Sequence, residues 1–281
     1  MRSTKIFFAF ALFLLSSICT PSFAETALPK NGTIADAYLG EELVYEIGIW
    51  FFEEVAIGKI GLVKGENNEY VATLTAYTTG VVDKFIKHRN DVYVSRLKLS
   101  PDGKRFLTKS FEKSVTIGDN KVMKSSTVFD YGKMTMTWKS TKNGKETSAG
   151  IIDLPKDKVC DDPLGAFYNF RYGVYGPHEA GREYTIYSFP KEDHVPKIFL
   201  KIDSREKSPG PGVKGDFLAS ARIDRELFGS QAGDIDIVFT DGMLPTEAIA
   251  KELVFFGDVK GRLKKYGAAV ELKKTPAEAA P

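Results

Sequence analysis

From about residue 40 onward the chain repeatedly alternates apolar and polar positions with a period of two, the mark of half-buried strands. Glu42 to Phe52 puts Leu43, Tyr45, Ile47, Ile49 and Phe51 on one side and Glu42, Val44 and Glu46 on the other. Val55–Lys64, thinned by Gly58 and Gly61, and the β-branched and aromatic run Tyr70–Thr79 continue the pattern. Val81 to His88 fits a short helix or a strand end equally, and Val92–Leu99 returns to strand before the turn Pro101-Asp102-Gly103. Three or four strands follow, punctuated by Gly118-Asp119-Asn120, Gly132 and Asn143-Gly144. The last pair is the strongest hairpin signal, since both residues tolerate positive φ. Further strands are read at Glu183–Phe189, Lys197–Asp203, Asp216–Ile223, Asp234–Thr240 and Leu253–Leu263. Ser208-Pro209-Gly210-Pro211-Gly212 reads as an exposed loop.

One stretch departs from this pattern. In Asp161-Asp162-Pro163-Leu164-Gly165-Ala166-Phe167-Tyr168-Asn169-Phe170-Arg171, Asp162 is placed to cap a helix and Pro163 falls at its first position. Arg171 suits the last turn, and Gly173 can adopt the left-handed closing conformation. Leu164, Phe167, Tyr168 and Arg171 share one face, while Ala166 and Phe170 occupy another. A helix apolar nearly all round belongs under other structure. The expected fold is therefore mainly β: a large curved antiparallel sheet or incomplete β-barrel wrapped around one short central helix.

The domain plan follows from the flanks. Residues 1–24 have a basic start (Arg2, Lys5), an apolar run from Ile6 to Ile18 and a small-x-small end, Ser22-Phe23-Ala24. They read as a signal peptide cleaved between Ala24 and Glu25; Ile18 before Cys19 does not fit a lipidation signal. Residues 25–39 read as an irregular lead-in, 40–266 as a single β-rich domain and 267–281 as a disordered tail. Removing residues 1–24 takes away two of the 39 basic residues and no acid, leaving 37 of each sign. A neutral chain is not a nucleic-acid binder by charge. Cys160 is then the only cysteine, so no internal disulfide forms and the core alone stabilises the fold.

Candidate chemistry is sparse. Cys160 precedes a helix, which favours a thiolate, but Asp161 and Asp162 oppose it; an inert part-buried thiol is the plainer reading. His88, His178 and His194 are scattered and form no metal spacing. Asp234, Asp236 and Asp241 lack calcium-loop spacing and read as a strand with Ile235, Ile237 and Phe239 inward. No catalytic residue, metal or cofactor is assigned. The 20 Phe and 12 Tyr cluster at Trp50-Phe51-Phe52, Phe167 to Tyr175 and Phe255-Phe256. They suit either a large β core or an apolar cavity between sheet and helix able to take an acyl chain. In the cavity reading Leu164, Phe167, Tyr168 and Phe170 line it and Arg171 is its polar gate; the plainer role of Arg171 is a salt bridge with Asp161 or Glu183.

Gly40-Glu41-Glu42-Leu43-Val44-Tyr45, the helix segment DDPLGAFYNFR, and Leu244-Pro245 with Phe256-Gly257-Asp258-Val259-Lys260-Gly261-Arg262-Leu263 together resemble the bacterial domain of unknown function 3108 family. The helix is similar to that family's D-x-x-S-x-x-Y-x-x-R segment, with Gly165 where Ser is common. The resemblance spans roughly residues 40 to 264 and implies a periplasmic β-rich domain, similar in shape to lipoprotein-carrier half-barrels. The expected function is non-enzymatic binding of an envelope lipid or acyl chain. The alternative is a structural or protein-interaction module of the envelope, and a thiol-dependent enzyme using Cys160 is the third reading. The expected location is the periplasm, at most peripheral to the membrane.

Overall fold

The computed structural model describes residues 32–49, 52–80, 83–84, 88–190, 195–203, 217–223, 233–253 and 257–268. Fourteen strands form one antiparallel sheet: β1 (Glu41–Ile49), β2 (Phe52–Lys64), β3 (Tyr70–Thr78), β4 (Arg89–Leu99), β5 (Phe106–Ile117), β6 (Lys121–Asp130), β7 (Thr135–Lys142), β8 (Lys145–Asp153), β9 (Glu183–Tyr187), β10 (Lys197–Ile202), β11 (Phe217–Ile223), β12 (Asp234–Phe239), β13 (Pro245–Leu253) and β14 (Gly257–Ala268). Two helices accompany it, α1 (Ile34–Tyr38) and α2 (Pro163–Tyr172). The expected mainly-β fold is the one observed.

The strand order β8-β7-β6-β5-β4-β3-β2-β1-β14-β13-β12-β11-β10-β9 consists of two meanders joined where the first strand pairs with the last. Its outer edges are β8 and β9, and the segment linking them carries α2. The helix packs on the inner face of the sheet, between its two meanders. A parallel bridge from Cys160 to Tyr187, with the Asp161 N–H donating to the Tyr187 carbonyl at 2.9 Å, ties this segment to β9.

α2 begins and ends as its sequence dictates. The Asp162 carboxylate accepts from the Leu164 and Gly165 N–H groups, and Gly173 takes φ 85° as the left-handed cap. Asn143 and Gly144, at φ 51° and 78°, make the β7–β8 hairpin by the mechanism their sequence implies.

Three expectations need correction. The lead-in is not irregular throughout, because Ile34–Tyr38 is a helix closed by a Thr33–Asp36 capping box, with Ile34, Ala35 and Tyr38 buried. The central helix is accordingly not alone. Leu253–Leu263 is not one strand: β13 ends at Leu253 and β14 begins at Gly257, which has φ 60°. β14 also continues to Ala268, two residues into the expected tail. The signal peptide with Ala24 and Glu25, Cys19, residues 25–31, Trp50, Phe51, His194, Ser208–Gly212, Phe255, Phe256 and the tail from 269 lie outside the described residues.

The core explains why α2 is apolar nearly all round. Leu164 and Tyr168 pack with Leu62, Ala72, Leu97 and Phe106 of β2–β5 and with α1. Ala166 and Phe170 pack instead with Tyr184, Ile186, Leu200, Ile202, Ala219 and Phe239 of β9–β12. Phe167, half-buried, joins Leu43 and Leu263 of β1 and β14. Three parts of the sheet meet three sides of one helix, which is what wrapping means here. Burial of each large side chain contributes about 1.5–3 kcal/mol.

Candidate functional site

The N-terminal end of α2 is a buried polar cluster. Asp162 is wholly buried, and besides capping the helix its carboxylate accepts from Ser95 Oγ and Thr108 Oγ1, each at 2.6 Å. Asp161, also wholly buried, is paired with Arg105 and accepts from Tyr175 Oη at 2.6 Å and Asn169 Nδ2 at 3.1 Å. Burial pushes the Asp161 carboxyl up to about 6, with Arg105 and Tyr175 opposing the rise. Burial likewise raises Asp162, against its four hydrogen bonds.

Asn169 works as a short piece of strand. Its Oδ1 accepts from the Phe106 N–H at 2.8 Å and its Nδ2 donates to the Phe106 carbonyl at 2.9 Å. The β6 pairing of β5 begins only at Ser110, so the amide satisfies backbone groups that β6 leaves free.

At the other end of α2, Arg171 donates to both carboxylate oxygens of Glu41, at 2.6 and 2.7 Å, and through Nε to the Met243 carbonyl at 2.9 Å. Its guanidinium stacks over the Tyr38, Phe167 and Tyr168 rings. Burial works against its charge, but Glu41 outweighs burial and holds it above the ordinary arginine range. Arg171 is therefore a clamp between β1, α2 and the turn that leads into β13, and not a gate. Its carboxylate partner is neither Asp161 nor Glu183.

Of the five side chains expected to line one cavity, Leu164, Phe167, Tyr168 and Arg171 come together in packed contact and Phe170 alone turns to the other side. Leu164 and Tyr168 face β2–β5, Phe167 bridges that cluster to β1 and β14, Phe170 faces β9–β12, and Arg171 is taken by Glu41.

Cys160 is buried in a cluster with Phe129, Met136 and Leu154. Burial pushes its thiol up to about 12, with Asp161 adding to the rise, the reverse of an activated nucleophile. Of the scattered histidines, His178 hydrogen-bonds the Phe170 carbonyl at 2.7 Å and His88 pairs with Asp83. Among the described residues no cluster of His, Cys, Asp and Glu is arranged to hold a metal, and no helix is long and apolar enough to cross a membrane.

What the register does bring together is an apolar wall on the inner face, which meets α2 at its β11–β12 end and has no helix residue in the cluster at its β1–β2 end. One cross-sheet row runs Ala219–Ile237–Ala248–Gly261–Ile47–Ala56, and the next runs Ala221–Ile235–Ala250–Val259–Ile49. The first row spans six strands from β11 to β2 and the second five from β11 to β1, with no polar side chain in either. Ile49, Val55 and Ala56, with Ile47 and Val259, form a cluster containing no helix residue. Ile47, Ile235, Ile237, Ala248, Ala250, Val259 and Gly261 are only half-buried. Direct cross-strand partners point to the same side, so the wall could be read only once pairing was known. The inward placement of Ile235 and Ile237 was legible from their alternation.

No family model matches this chain, and no curated protein matches it. Among solved structures it is similar to a β-barrel-like protein of the domain of unknown function 1849 from Brucella abortus, at 9% identity and a TM-score of 0.47. That match covers 80% of this chain and 96% of the other.

Proposed function

We propose that this chain is an exported, non-enzymatic binding protein of the cell envelope that holds an acyl chain against the inner wall of its sheet. One observation carries the reading: two apolar rows, one crossing six strands and one five, run from the helix out to a cluster with no helix residue, and most of their side chains keep part of their surface uncovered. An acyl chain laid on them gains about 0.8 kcal/mol for each CH₂ removed from water. The helix residues serve this site as the plug that closes one end of the curved sheet. The leader pattern of residues 1–24 and the absence of an activated Cys160 thiol support the exported and non-enzymatic parts of the reading.

The test is a titration of delipidated protein with a fluorescent long-chain fatty acid. Wild type is expected to saturate, and Gly261→Leu to bind more weakly while melting near the wild-type temperature. A Cβ at Gly261 meets only the Ala248 carbonyl oxygen, at 3.9 Å, so the added side chain enters the site without clashing with the wall. A folded, lipid-free wild type with no saturable binding would overturn the proposal.

The envelope-interaction reading draws on β8. It is an edge strand, and Ile151 on it is 68% exposed, a geometry suited to pairing with an added strand. Ile151→Lys would weaken that association and leave acyl binding unchanged.

A further inference from the structure

A third inner-face row changes character along its length. It runs Leu43–Ile60–Leu74–Tyr93–Lys113–Ser125–Ser140–Ser148, one residue from each strand from β1 to β8. The β1–β3 part is apolar, Tyr93 is the junction, and beyond it come a cation and three hydroxyls. Direct partners on adjacent strands have Cβ atoms about 4.5–5.5 Å apart, so Lys113, Ser125 and Ser140 can address one small group together.

These polar groups are uncommitted. Lys113 Nζ lies over the Tyr93 ring, 5.1 Å from its centroid, and among the described residues has no carboxylate within ion-pair distance. The nearest acid on the same face by register, Asp91 in the adjoining row, is held by both Nε and Nη2 of Arg89. Among the described residues Ser125, Ser140 and Ser148 make no side-chain hydrogen bond. A packed wall would not place an unpaired lysine and a line of free hydroxyls on its inner side.

We infer that the Lys113–Ser125–Ser140 stretch of β5–β7 is the head-group site for an anionic amphiphile. A carboxylate or phosphate would sit on Lys113 and the serine hydroxyls while its chain runs over Tyr93 and Leu74 toward the apolar wall. Lys113 would supply a charge-assisted hydrogen bond and the serines neutral ones. This rests on the acyl-binding reading above and adds the charge of the ligand to it.

The experiment compares three probes by calorimetry on delipidated protein: myristate, the neutral monomyristoylglycerol and inorganic phosphate. Wild type is expected to bind myristate at least roughly tenfold more tightly than the neutral amphiphile, the change that one hydrogen bond to a charged group carries. Lys113→Met, which keeps the apolar stem, should erase the preference without weakening the neutral probe, and Lys113→Arg should retain it. Equal binding of the two amphiphiles by wild type, or a preference that survives in Lys113→Met, overturns the head-group site and leaves the acyl reading standing. Failure of both amphiphiles to bind overturns both. Phosphate binding as tightly as myristate, with the same dependence on Lys113, would show an anion site unconnected with lipid and also overturn the inference.

Discussion

The two ends of α2 solve the same problem by opposite means. At its start, the buried Asp162 is satisfied by neutral donors: two hydroxyls and two backbone N–H groups. At its end, the buried Arg171 is satisfied by a full opposite charge on Glu41. A carboxylate among neutral donors can exchange its charge for a proton, whereas a buried arginine holds its charge at any physiological pH. The first end is therefore adjustable, and the second depends on one partner.

The sharpest way to break this contrast is Glu41→Gln. It leaves the Arg171 charge buried without a counter-charge and is expected to cost about 3–5 kcal/mol in urea unfolding. Replacing both residues by Met should recover much of that loss, because the pair itself contributes little once its desolvation is counted. A loss below about 1 kcal/mol for the single variant would mean that the C-terminal end does not depend on its partner.

Phe170→Ala tests whether the anchors matter more than the packing between them. Phe170 is buried, so its truncation should cost about 3–5 kcal/mol, and that of half-buried Phe167 should cost less. Equal losses for the two would show that α2 is held evenly on all sides.

At the N-terminal end, Asp162→Ala removes the cap and orphans Ser95 and Thr108, with an expected loss of about 2 kcal/mol by thermal melting. Asp162→Asn, which keeps oxygens for the cap, should lose less.

The pH profile separates the two ends directly. The carboxyl of Asp161 titrates near 6 in the folded chain, against 3.8 without the fold, so the native state holds its proton more firmly. Its contribution is present below pH 4, falls as pH rises from about 4 to about 6, and is gone above that. Stability relative to Asp161→Asn should fall across this window by on the order of 1–3 kcal/mol. A difference that does not vary with pH would mean that Asp161, beside Arg105, keeps its charge through this window as Arg171 does. The smallest effect is expected at Cys160. Cys160→Ser should cost about 1–2 kcal/mol, and the native thiol should resist iodoacetamide at pH 8.

Much of this was legible in the chain, for definite reasons. Asp162, Pro163 and Gly173 act through local backbone geometry, and local geometry is what a sequence states most directly. The partner of Arg171 was not legible, because Glu41 lies 130 residues away and becomes its neighbour only through the sheet. α1 escaped notice because five residues are too few for a helical period, and its capping box carries Asp where Glu or Gln is usual. β13 was missed because it opens on Pro245 and carries Glu247 and Lys251 among small residues, a poor strand signature. The polar row from Lys113 to Ser148 could not be seen either. Each of its members sits in a different strand, and only the pairing aligns them.

The pairing of β1 with β14 also sets a constraint in time. β1 can be flanked by β2 as soon as both emerge, but its other neighbour is the last strand of the sheet. The bond from Tyr45 Oη to the Pro245 carbonyl, 2.9 Å long, spans 200 residues of chain. A sheet seam of such high contact order forms slowly, because the whole intervening chain must be drawn in before any contact across the seam rewards it. Until then the first strand keeps one unsatisfied edge, open to pairing with another nascent copy. The completion of this fold is therefore governed by the arrival of its final dozen residues, and a chain shortened before β14 would keep that edge open indefinitely.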